Sequence, residues 1–502
     1  MREAAQAEVD RDRGFLRELG LFDSVMIVAG TMIGSGIFIV PAEMSRLLGS
    51  GGWLLVAWLI TGVLTMAAAM SYGELASMMP EAGGMYVYLR EAFSPLWGFL
   101  YGWTLFTVIQ TGTIAAVAVA FARFTSVLLP AISEQRYLVA PIHISTGYAV
   151  SLSTTQLLAI VVIVMLTWTN TLGIRYGKLV QNLFTIAKTG ALAVLILLGI
   201  FLGRNNTAVA RNFGHFWDQS GLVPISGTLT AATTFGLLIA LCVSQSGALF
   251  SADAWHDITF AAGEVRDPRR TLPRSLIIGV AMVIGLFLLA NVSYLCTLPI
   301  AQIQHAPADR VATAVLDAIA PTWGSAAMAI AIMISTFGCV NSLVLAGPRV
   351  YYAMAKNGLF LRAAARLNRA AVPGISLWVQ GAWASLLVLP RTFSSATQQY
   401  GNLYSNLLDY VISSALIFYV LTICAVFRLR RLQPDVPRLY RTPGYPFVPL
   451  LYIAGASIIL LVLFGYRPAS TWPGLVIIAV GYPVYLALRR SRKTSAQSGD
   501  GR

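Results

Sequence analysis

The sequence predicts an all-α polytopic membrane protein with about twelve transmembrane helices. Of its 502 residues, 57% are hydrophobic and only 11% are charged, whereas soluble globular domains carry about 25% charged residues. Apolar stretches of about 20 residues, the length of a helix that crosses the hydrocarbon core, recur from Phe22 nearly to the C-terminus. No polar region in the sequence is long enough to form a soluble domain, so we expect a single membrane domain.

Apolar stretches between helix-breaking residues define the twelve predicted spans. They cover residues 22–47, 52–77, 95–129, 155–171, 178–203, 231–263, 274–299, 322–348, 374–390, 402–427, 446–466 and 471–488. The first span is too long for a secretory signal and lacks a small-residue cleavage site, so we expect it to remain in the mature protein.

Lysine and arginine are concentrated in alternate connections between these spans. The basic groups are Arg11, Arg13 and Arg17; Arg175 and Lys178; Arg266, Arg269, Arg270 and Arg274; Arg349, Lys356, Arg362, Arg366 and Arg369; Arg428, Arg430, Arg431, Arg438 and Arg441; and Arg489, Arg490, Arg492 and Lys493. The positive-inside rule explains the net charge of +14 without nucleic acid and makes residues 1–21 and the polar tail 489–502 cytoplasmic. Compact loops and the lack of a targeting signal favour a bacterial inner membrane.

The first predicted span contains an unusual concentration of small residues. Gly30, Gly34 and Gly36 surround Ser35, and each glycine weakens a helix by about 1 kcal/mol relative to alanine. Close packing between helices would also account for these glycines. An unwound stretch at Ser35 would instead expose N–H groups at the positive end of the following half-helix, which suits a carboxylate.

The sixth predicted span carries a carboxylate where aliphatic residues would be expected. Asp253 follows Phe250, Ser251 and Ala252 and lies far from either end of the span. A charge at that depth is costly, so we expect Asp253 to face a wet cavity and to mark a binding or coupling site. A buried aspartate that is paired to another helix for structural reasons is the alternative.

Interruptions in the first and sixth spans, five spans apart, predict two inverted five-helix repeats with a binding site between the two breaks. An amino acid suits such a site chemically. N–H groups at one break can receive its carboxylate, and freed carbonyls at the C-terminal ends of half-helices can accept hydrogen bonds from its ammonium group. Side chains would then select among substrates.

Lys188 lies about ten residues into the fifth span, roughly 15 Å deep at 1.5 Å per residue. It is too deep to reach the interface easily. Its ammonium group could replace a metal cation, exchange protons, or hydrogen-bond to unwound carbonyls of the first span in a structural role. Glu74, Arg123 and Asp409 lie nearer span ends, and we expect these side chains to extend to the interface.

Other classes of function fit the sequence poorly. His, Cys and carboxylate residues form no catalytic cluster, and polarity is concentrated at two breaks rather than along a pore. The cysteines are scattered without metal-binding spacing, at Cys242, Cys296, Cys339 and Cys424. We therefore expect no enzyme activity, no catalytic or metal-ligating residue and no cofactor, and a lipid bilayer rather than nucleic acid around the protein.

Three motifs resemble the amino acid–polyamine–organocation superfamily, in particular its L-type amino acid transporter branch with bacterial serine/threonine-exchanger-like and alanine-exchanger-like members. The motifs are Gly34-Ser35-Gly36-Ile37-Phe38 in the first span, Pro80-Glu81-Ala82-Gly83-Gly84-Met85-Tyr86-Val87-Tyr88 after the second, and Gly263-Glu264-Val265-Arg266-Asp267-Pro268 with Leu272-Pro273 after the sixth. They occur in the family's order, and the likeness extends over almost the whole chain.

The resemblance implies a LeuT-like fold with discontinuous helices 1 and 6. Residues 22–203 would form the first repeat, 231–427 the inverted repeat, and 446–488 two peripheral helices. The family's substrate site corresponds to Met32, Ile33, Gly34, Ser35, Gly36, Phe250, Ser251, Ala252 and Asp253. Phe250 would be the aromatic gate above the substrate, and Lys188 matches the helix-five lysine that occupies an ion site in sodium-independent members.

Two features bear on substrate and partner. Many family members have an aromatic residue before Gly-Gly-Trp or Asp-Gly-Trp in helix six, whereas this chain has Ala252-Asp253-Ala254-Trp255. The missing aromatic enlarges or wets the pocket, so Asp253 could favour a cationic side chain or bind an ammonium or backbone N–H group. Animal members join a heavy glycoprotein subunit through a cysteine between helices three and four. Residues 130–154 contain no cysteine, so we expect no disulfide-linked heavy subunit.

Together these features predict a secondary active, sodium-independent amino acid transporter that exchanges small neutral L-amino acids by alternating access. Proton-coupled symport through Lys188 and transport of cationic amino acids or polyamines through Asp253 remain open alternatives.

Overall fold

The computed structural model describes residues 17–145, 147–173, 177–370, 372–394, 399–400 and 403–497. Most of the predicted N-terminal segment, with Arg11 and Arg13, lies outside the described residues. The last five residues of the predicted polar tail and Arg175 also lie outside them.

Helices dominate the first half of the described chain. They are α1 (Leu21–Met32), α2 (Gly36–Leu48), α3 (Gly51–Met78), α4 (Met85–Ala92), α5 (Pro95–Leu128), α6 (Thr154–Thr171) and α7 (Gly177–Leu197). A π-helical turn interrupts α5 at Leu105–Ile109, and another extends α7 over Leu198–Leu202.

The second half continues in the same way. Its helices are α8 (Asn206–Gly214), α9 (Thr234–Ser251), α10 (Pro268–Thr297), α11 (Ile300–Gln304), α12 (Val311–Ile319), α13 (Gly324–Lys356), α14 (Gly374–Leu387), α15 (Leu403–Leu432), α16 (Phe447–Tyr466) and α17 (Pro468–Gln497). Short 3₁₀-helices lie at Trp255–Thr259, Ala262–Glu264, Pro307–Asp309 and Arg362–Ala365.

The predicted polytopic helical fold is confirmed. Within the described residues, ten helices are long and apolar enough to cross a membrane, or eleven if α1 and α2 form one span bent by 43°. The predicted ninth span, 374–390, corresponds to α14, whose 14 residues are fewer than the roughly 20 that a helix normally needs to cross the bilayer. The count of twelve spans therefore stays a prediction.

Both predicted helix interruptions are present. The first span is broken between Met32 and Gly36, and α9 ends at Ser251, followed by a left-handed residue at Ala254 (φ 62°). Several packed helix pairs show the same separation of five spans as the two breaks. The packed pairs α2 with α9, α3 with α10, α5 with α13 and α6 with α14 each join a predicted span to the span five positions later. This pairing favours two repeats, although the repeat arrangement itself stays a prediction.

The connections before the first span and after the second and sixth spans meet on one face, which we call the basic face because basic connections lie there. Leu19 pairs with Val265 in a parallel bridge. The Gly83 N–H donates to the Phe260 carbonyl over 3.3 Å. These bonds connect the three segments next to the break in the sixth span.

A small sheet, which was not predicted from the sequence, lies at the face opposite the basic connections. Its strands are β1 (Tyr137–Ser145), β2 (Tyr148–Ser153), β3 (Pro390–Ser394) and β4 (Gln399–Tyr400), in the antiparallel order β1-β2-β3-β4. The sheet ties the connection between α5 and α6 to the connection between α14 and α15.

The expectation that charged residues near span ends extend to the interface was wrong for Glu74 and Arg123. Glu74 is only 1% exposed and accepts hydrogen bonds from the Arg430 Nε (2.8 Å) and Nη2 (2.7 Å) atoms. Arg123 is 8% exposed and donates to the Glu134 carboxylate over 2.9 Å. Each group is therefore paired inside the protein with a partner of opposite charge, Glu74 with one from a distant helix and Arg123 with one from the connection that follows α5. Asp409 is half-buried.

Candidate functional site at the helix breaks

The first break leaves hydrogen-bond donors free. The Gly34 N–H turns back to the Met32 carbonyl over 2.9 Å, which stops α1, and α2 begins afresh at Gly36. The N–H groups of Gly36 and Ile37 have no acceptor within α2 because they lie in its first turn. Among the described residues none outside the helix accepts from them either. The positive end of α2 therefore presents two available donors.

Carbonyl groups of the first break, by contrast, are occupied by protein donors. The Ser335 hydroxyl of α13 donates to the carbonyls of Ile33 (3.2 Å) and Gly34 (3.4 Å). The Lys188 ammonium of α7, 1% exposed, donates to the Gly30 carbonyl. The structural bond considered for Lys188 is thus present. A coupling role for Lys188 stays a prediction.

The second break has the complementary pattern. The Asp253 N–H bonds to the Phe250 carbonyl over 3.2 Å instead of continuing α9. The carbonyls of Leu249 and Ser251 consequently receive no hydrogen bond from the described residues. The negative end of α9 therefore presents available acceptors.

The two breaks touch each other at two points. The Thr31 hydroxyl donates to the Ala254 carbonyl over 2.9 Å. Gly36 packs directly on Ser251: a Cβ atom built on Gly36 would lie 2.6 Å from the Ser251 Cβ and 2.8 Å from its Cα. Any larger residue at position 36 would push the breaks apart, so glycine is required there for close approach.

Asp253 is held by a tyrosine that was not predicted as a site residue. The Tyr419 hydroxyl of α15 donates to the Asp253 Oδ1 atom over 2.5 Å, and Asp253 is 7% exposed. Tyr419 in turn packs edge-on against His256 and Tyr72. This arrangement is the paired, structural alternative considered for Asp253, because one carboxylate oxygen is already bound.

A second tyrosine spans the breaks on the side away from the basic face. The Tyr404 and Ser35 hydroxyls are hydrogen-bonded over 2.8 Å. The Tyr404 ring also packs edge-on against Phe250, with a centroid distance of 6.2 Å. Tyr404 therefore contacts one predicted site residue from each break.

The structure brings all nine predicted substrate-site residues together at the two breaks. All are buried, with Asp253 the most exposed of the seven non-glycine residues at 7%. The predicted site residues are Met32, Ile33, Gly34, Ser35, Gly36, Phe250, Ser251, Ala252 and Asp253. Thr31, Ser335, Tyr404 and Tyr419 were not predicted from the sequence. A hydroxyl group inside an otherwise apolar span was the available signal, but such residues are too common to single out by themselves.

Cavities lie on both sides of the breaks. Toward the basic face a cavity of about 60 Å³ is lined partly by Thr31, Gln181, Asp257, Glu264 and Arg349. On the opposite face a cavity of about 500 Å³ lies beneath the sheet. Among the described residues no group of His, Cys, Asp and Glu side chains could hold a metal ion. The breaks therefore offer donors to an anionic group and acceptors to a cationic one, between two cavities.

Comparisons with known proteins identify the family. The family model described as amino acid permease matches residues 19–487. The serine/threonine exchanger SteT of Bacillus subtilis is 28% identical over 96% of this chain and 99% of its own length. The large neutral amino acids transporter small subunit 2 of Homo sapiens is 28% identical over 93% of this chain and 80% of its own.

A third relative is also named as an amino acid transporter. The b(0,+)-type amino acid transporter 1 of Mus musculus is 26% identical over 90% of this chain and 84% of its own length. The family match covers more than nine-tenths of the chain, and the resemblance stated from the three motifs is confirmed. The chain belongs to the amino acid permease family of the amino acid–polyamine–organocation superfamily, and it is a membrane transporter rather than an enzyme.

Proposed function

We propose that this chain is a sodium-independent exchanger of small neutral L-amino acids that works by alternating access. One observation carries the proposal. The N–H groups of Gly36 and Ile37 and the carbonyls of Leu249 and Ser251, which have no hydrogen-bond partner among the described residues, belong to two half-helices in direct contact. The carboxylate of an amino acid would bind the former and its ammonium group the latter, so that backbone atoms recognise the zwitterion.

The surroundings of the breaks support a small neutral side chain. Ile33, Phe250 and Ala252 are buried around the breaks and offer no charge to a substrate. Asp253 is engaged by Tyr419, which lowers the capacity of its carboxylate to serve a cationic side chain. Among the named relatives, one is a serine/threonine exchanger. Alanine and serine are therefore the first substrates to test.

Sodium independence is supported by the position of Lys188. Its ammonium group lies on the Gly30 carbonyl, next to the first break. A second cation close to this charge would be repelled strongly in a site shielded from water. Lys188 would thus supply the positive charge that a sodium ion would otherwise bring. Proton release from Lys188 remains the competing mechanism, and it predicts symport instead of exchange.

Alternating access needs closures on both sides of the site. Toward the basic face, the Arg349 Nε atom donates to the Glu264 carboxylate over 2.8 Å, and both side chains are at most 10% exposed. On the other side, Tyr404 bridges Ser35 and Phe250. We propose that these two closures open in turn, with residues 22–203 and 231–427 acting as the two repeats and 446–488 as peripheral helices.

We further propose a bacterial inner-membrane location with both termini in the cytoplasm. We expect the chain to act without a disulfide-linked heavy subunit. Each of the four cysteines lies within a helix that crosses or approaches the apolar core.

The substrate class is tested by uptake into proteoliposomes that contain unlabelled alanine. Labelled alanine, serine, leucine, arginine and putrescine are supplied separately, in sodium-containing and sodium-free medium, with and without an inward proton gradient. We expect alanine and serine to be taken up best, with the same rates in both media. Preferred uptake of arginine or putrescine would assign Asp253 a role in binding cations. A requirement for the proton gradient would support symport through Lys188.

A further inference from the structure

One cavity of the described structure has walls rich in arginine. Its volume is about 500 Å³, and it lies on the face opposite the basic connections, between the end of α5, the sheet and the segment before α12. We call it the arginine cavity. Its charged and aromatic lining residues are Arg123, Arg310, Arg391, Glu134, Asp309 and Tyr400.

Positive charge exceeds negative charge around this cavity. Glu134 accepts hydrogen bonds from both Arg123 (2.9 Å) and Arg391 (3.1 Å). Asp309 accepts from Arg46 over 2.8 Å, so this carboxylate is already paired with an arginine outside the lining. The two carboxylates thus face three arginines with which they pair, and Arg310 is an additional positive charge.

Among the described residues, Arg310 has neutral partners only. Its Nη1 atom donates to the Arg123 carbonyl (3.2 Å) and the Ser126 hydroxyl (3.1 Å), and its Nε atom is buried with no acceptor in that part of the chain. No carboxylate of the described chain lies within ion-pair distance of Arg310. Burial and the neighbouring Arg123 charge lower the pKa of the Arg310 guanidinium. An anion in the cavity would favour the charged guanidinium and so oppose this lowering of its pKa.

Arg391 supplies a second unsatisfied donor. Its side chain is only 7% exposed, and its Nε atom has no hydrogen-bond partner among the described residues although Nη1 and Nη2 are engaged. A buried N–H group without an acceptor is costly. Two arginines that line one cavity therefore each carry a buried N–H group without an acceptor among the described residues.

The arginine cavity is separated from the helix breaks by one layer of side chains. The Arg123 guanidinium lies over the Tyr404 ring, 5.8 Å from its centroid. The Tyr404 hydroxyl bonds to Ser35 at the first break, and its ring packs on Phe250 at the second. A molecule that leaves the cavity through a displaced Tyr404 would reach the breaks directly.

We propose that the arginine cavity binds a small monovalent anion at Arg310 and Arg391, and that this anion is the carboxylate of an amino acid on its way to the helix breaks. The assignment to an amino acid rests on the proposed function. An inorganic anion such as chloride has the same recognition chemistry and is the alternative source.

Anion binding is measured first without transport, on the purified full-length chain in detergent. A ligand that binds the folded state raises its unfolding temperature. We expect acetate, which has a carboxylate but no ammonium group, to raise the unfolding temperature of wild type and of Arg269→Gln, an exposed arginine on the basic face. Arg310→Gln should abolish the effect, and Arg310→Lys should retain part of it. Two outcomes would overturn the proposal. In one, acetate raises the unfolding temperature equally in wild type and Arg310→Gln. In the other, neither acetate nor chloride raises the unfolding temperature of wild type.

Transport then distinguishes the two sources. If the anion is an amino acid carboxylate, Arg310→Gln should raise the KM for alanine about tenfold when alanine is supplied on the side of the arginine cavity. The kcat, and the KM for alanine supplied on the basic face, should be unchanged. Acetate should compete with alanine on the side of the arginine cavity. For chloride, replacement of external chloride by sulfate should lower wild-type uptake and leave Arg310→Gln unaffected. Absence of alanine uptake by wild type would contradict the proposed function, whereas the acetate measurement still decides on the anion site.

Discussion

Gly36 lies at a point of direct contact between the two half-helices. Its missing side chain allows direct contact with the Ser251 backbone and leaves the Gly36 N–H group open to a ligand. Close helix packing and an unwound, ligand-binding stretch were alternative interpretations of the glycine cluster in the sequence. The geometry at Gly36 combines them, because the same absence of a side chain permits close packing and ligand access.

Replacement of Gly36 by alanine is therefore expected to abolish transport. The new methyl group would lie 2.6 Å from the Ser251 Cβ, so one half-helix would have to move. The matched control is Gly190→Ala in α7, where an added methyl group meets no atom within 4 Å. Uptake rates of labelled alanine are compared at equal protein levels. Equal rates for the two variants would contradict the proposed contact.

Asp253 and Tyr419 act as a pair at the second break. Removal of the donor in Tyr419→Phe leaves a buried carboxylate oxygen unsatisfied, at a cost of about 1–3 kcal/mol. We expect a lower unfolding temperature and slower alanine transport, and a smaller additional effect when Asp253→Asn is combined with it.

Tyr485→Phe is the control for this substitution. Tyr485 is also buried, but its hydroxyl makes no hydrogen bond with the described residues. Additive effects of Tyr419→Phe and Asp253→Asn on the unfolding temperature would show that the two side chains do not act together.

The residues of the candidate site were predictable where backbone-breaking residues marked them. Gly34, Ser35 and Gly36 indicate an interrupted helix. Asp253 indicates a functional or paired position, because a carboxylate within an apolar span is energetically costly. Tyr404 and Tyr419 were not predictable in the same way. Tyrosine is common in membrane helices, and its importance here depends on which distant residue lies beside its hydroxyl group.

At the scale of elements, the segment after the sixth span is attached to α13 by a buried ion pair. Removal of one partner from such a pair costs about 3–5 kcal/mol because the other charge is left buried. Glu264→Gln should therefore lower the unfolding temperature in detergent clearly, since Arg349 would lose its carboxylate partner.

An exposed pair in the same region provides the comparison. Arg270 and Asp267 lie 3.9 Å apart, and both side chains are more than 60% exposed. Arg270→Gln should leave the unfolding temperature unchanged, because exposed ion pairs contribute little. Similar shifts in the two variants would mean that the Glu264–Arg349 pair does not secure this segment.

Long helices were predictable because a continuous apolar run of about 20 residues is typical of a membrane-spanning helix. The sheet was not predictable. Its strands come from two connections separated by more than 200 residues, and β2 pairs with β3 through contacts such as Ala149 with Arg391. Nothing local in either segment indicates its partner. The sheet forms one wall of the arginine cavity, so this unpredicted element supplies Arg391 to the proposed anion site.

At the scale of the whole molecule, alternating basic connections predict which face is cytoplasmic. Single cysteines are introduced as Gln135→Cys, in the connection before β1, and Asn357→Cys, after α13; both native residues are exposed. A membrane-impermeant maleimide should label Gln135→Cys in intact cells and Asn357→Cys only after permeabilisation. The parent chain is the control, because its four cysteines lie within helices. Labelling of Asn357→Cys in intact cells would show that the predicted orientation in the membrane is wrong.

The central claim is that an amino acid bound between the two breaks is exchanged across the membrane. The most direct measurement is uptake of labelled alanine into proteoliposomes that contain either unlabelled alanine or buffer alone, in sodium-free medium without a pH gradient. We predict uptake by wild type and Gly190→Ala only when alanine is present inside, and no uptake by Gly36→Ala. Equal uptake into filled and empty vesicles, or normal exchange by Gly36→Ala, would contradict this claim.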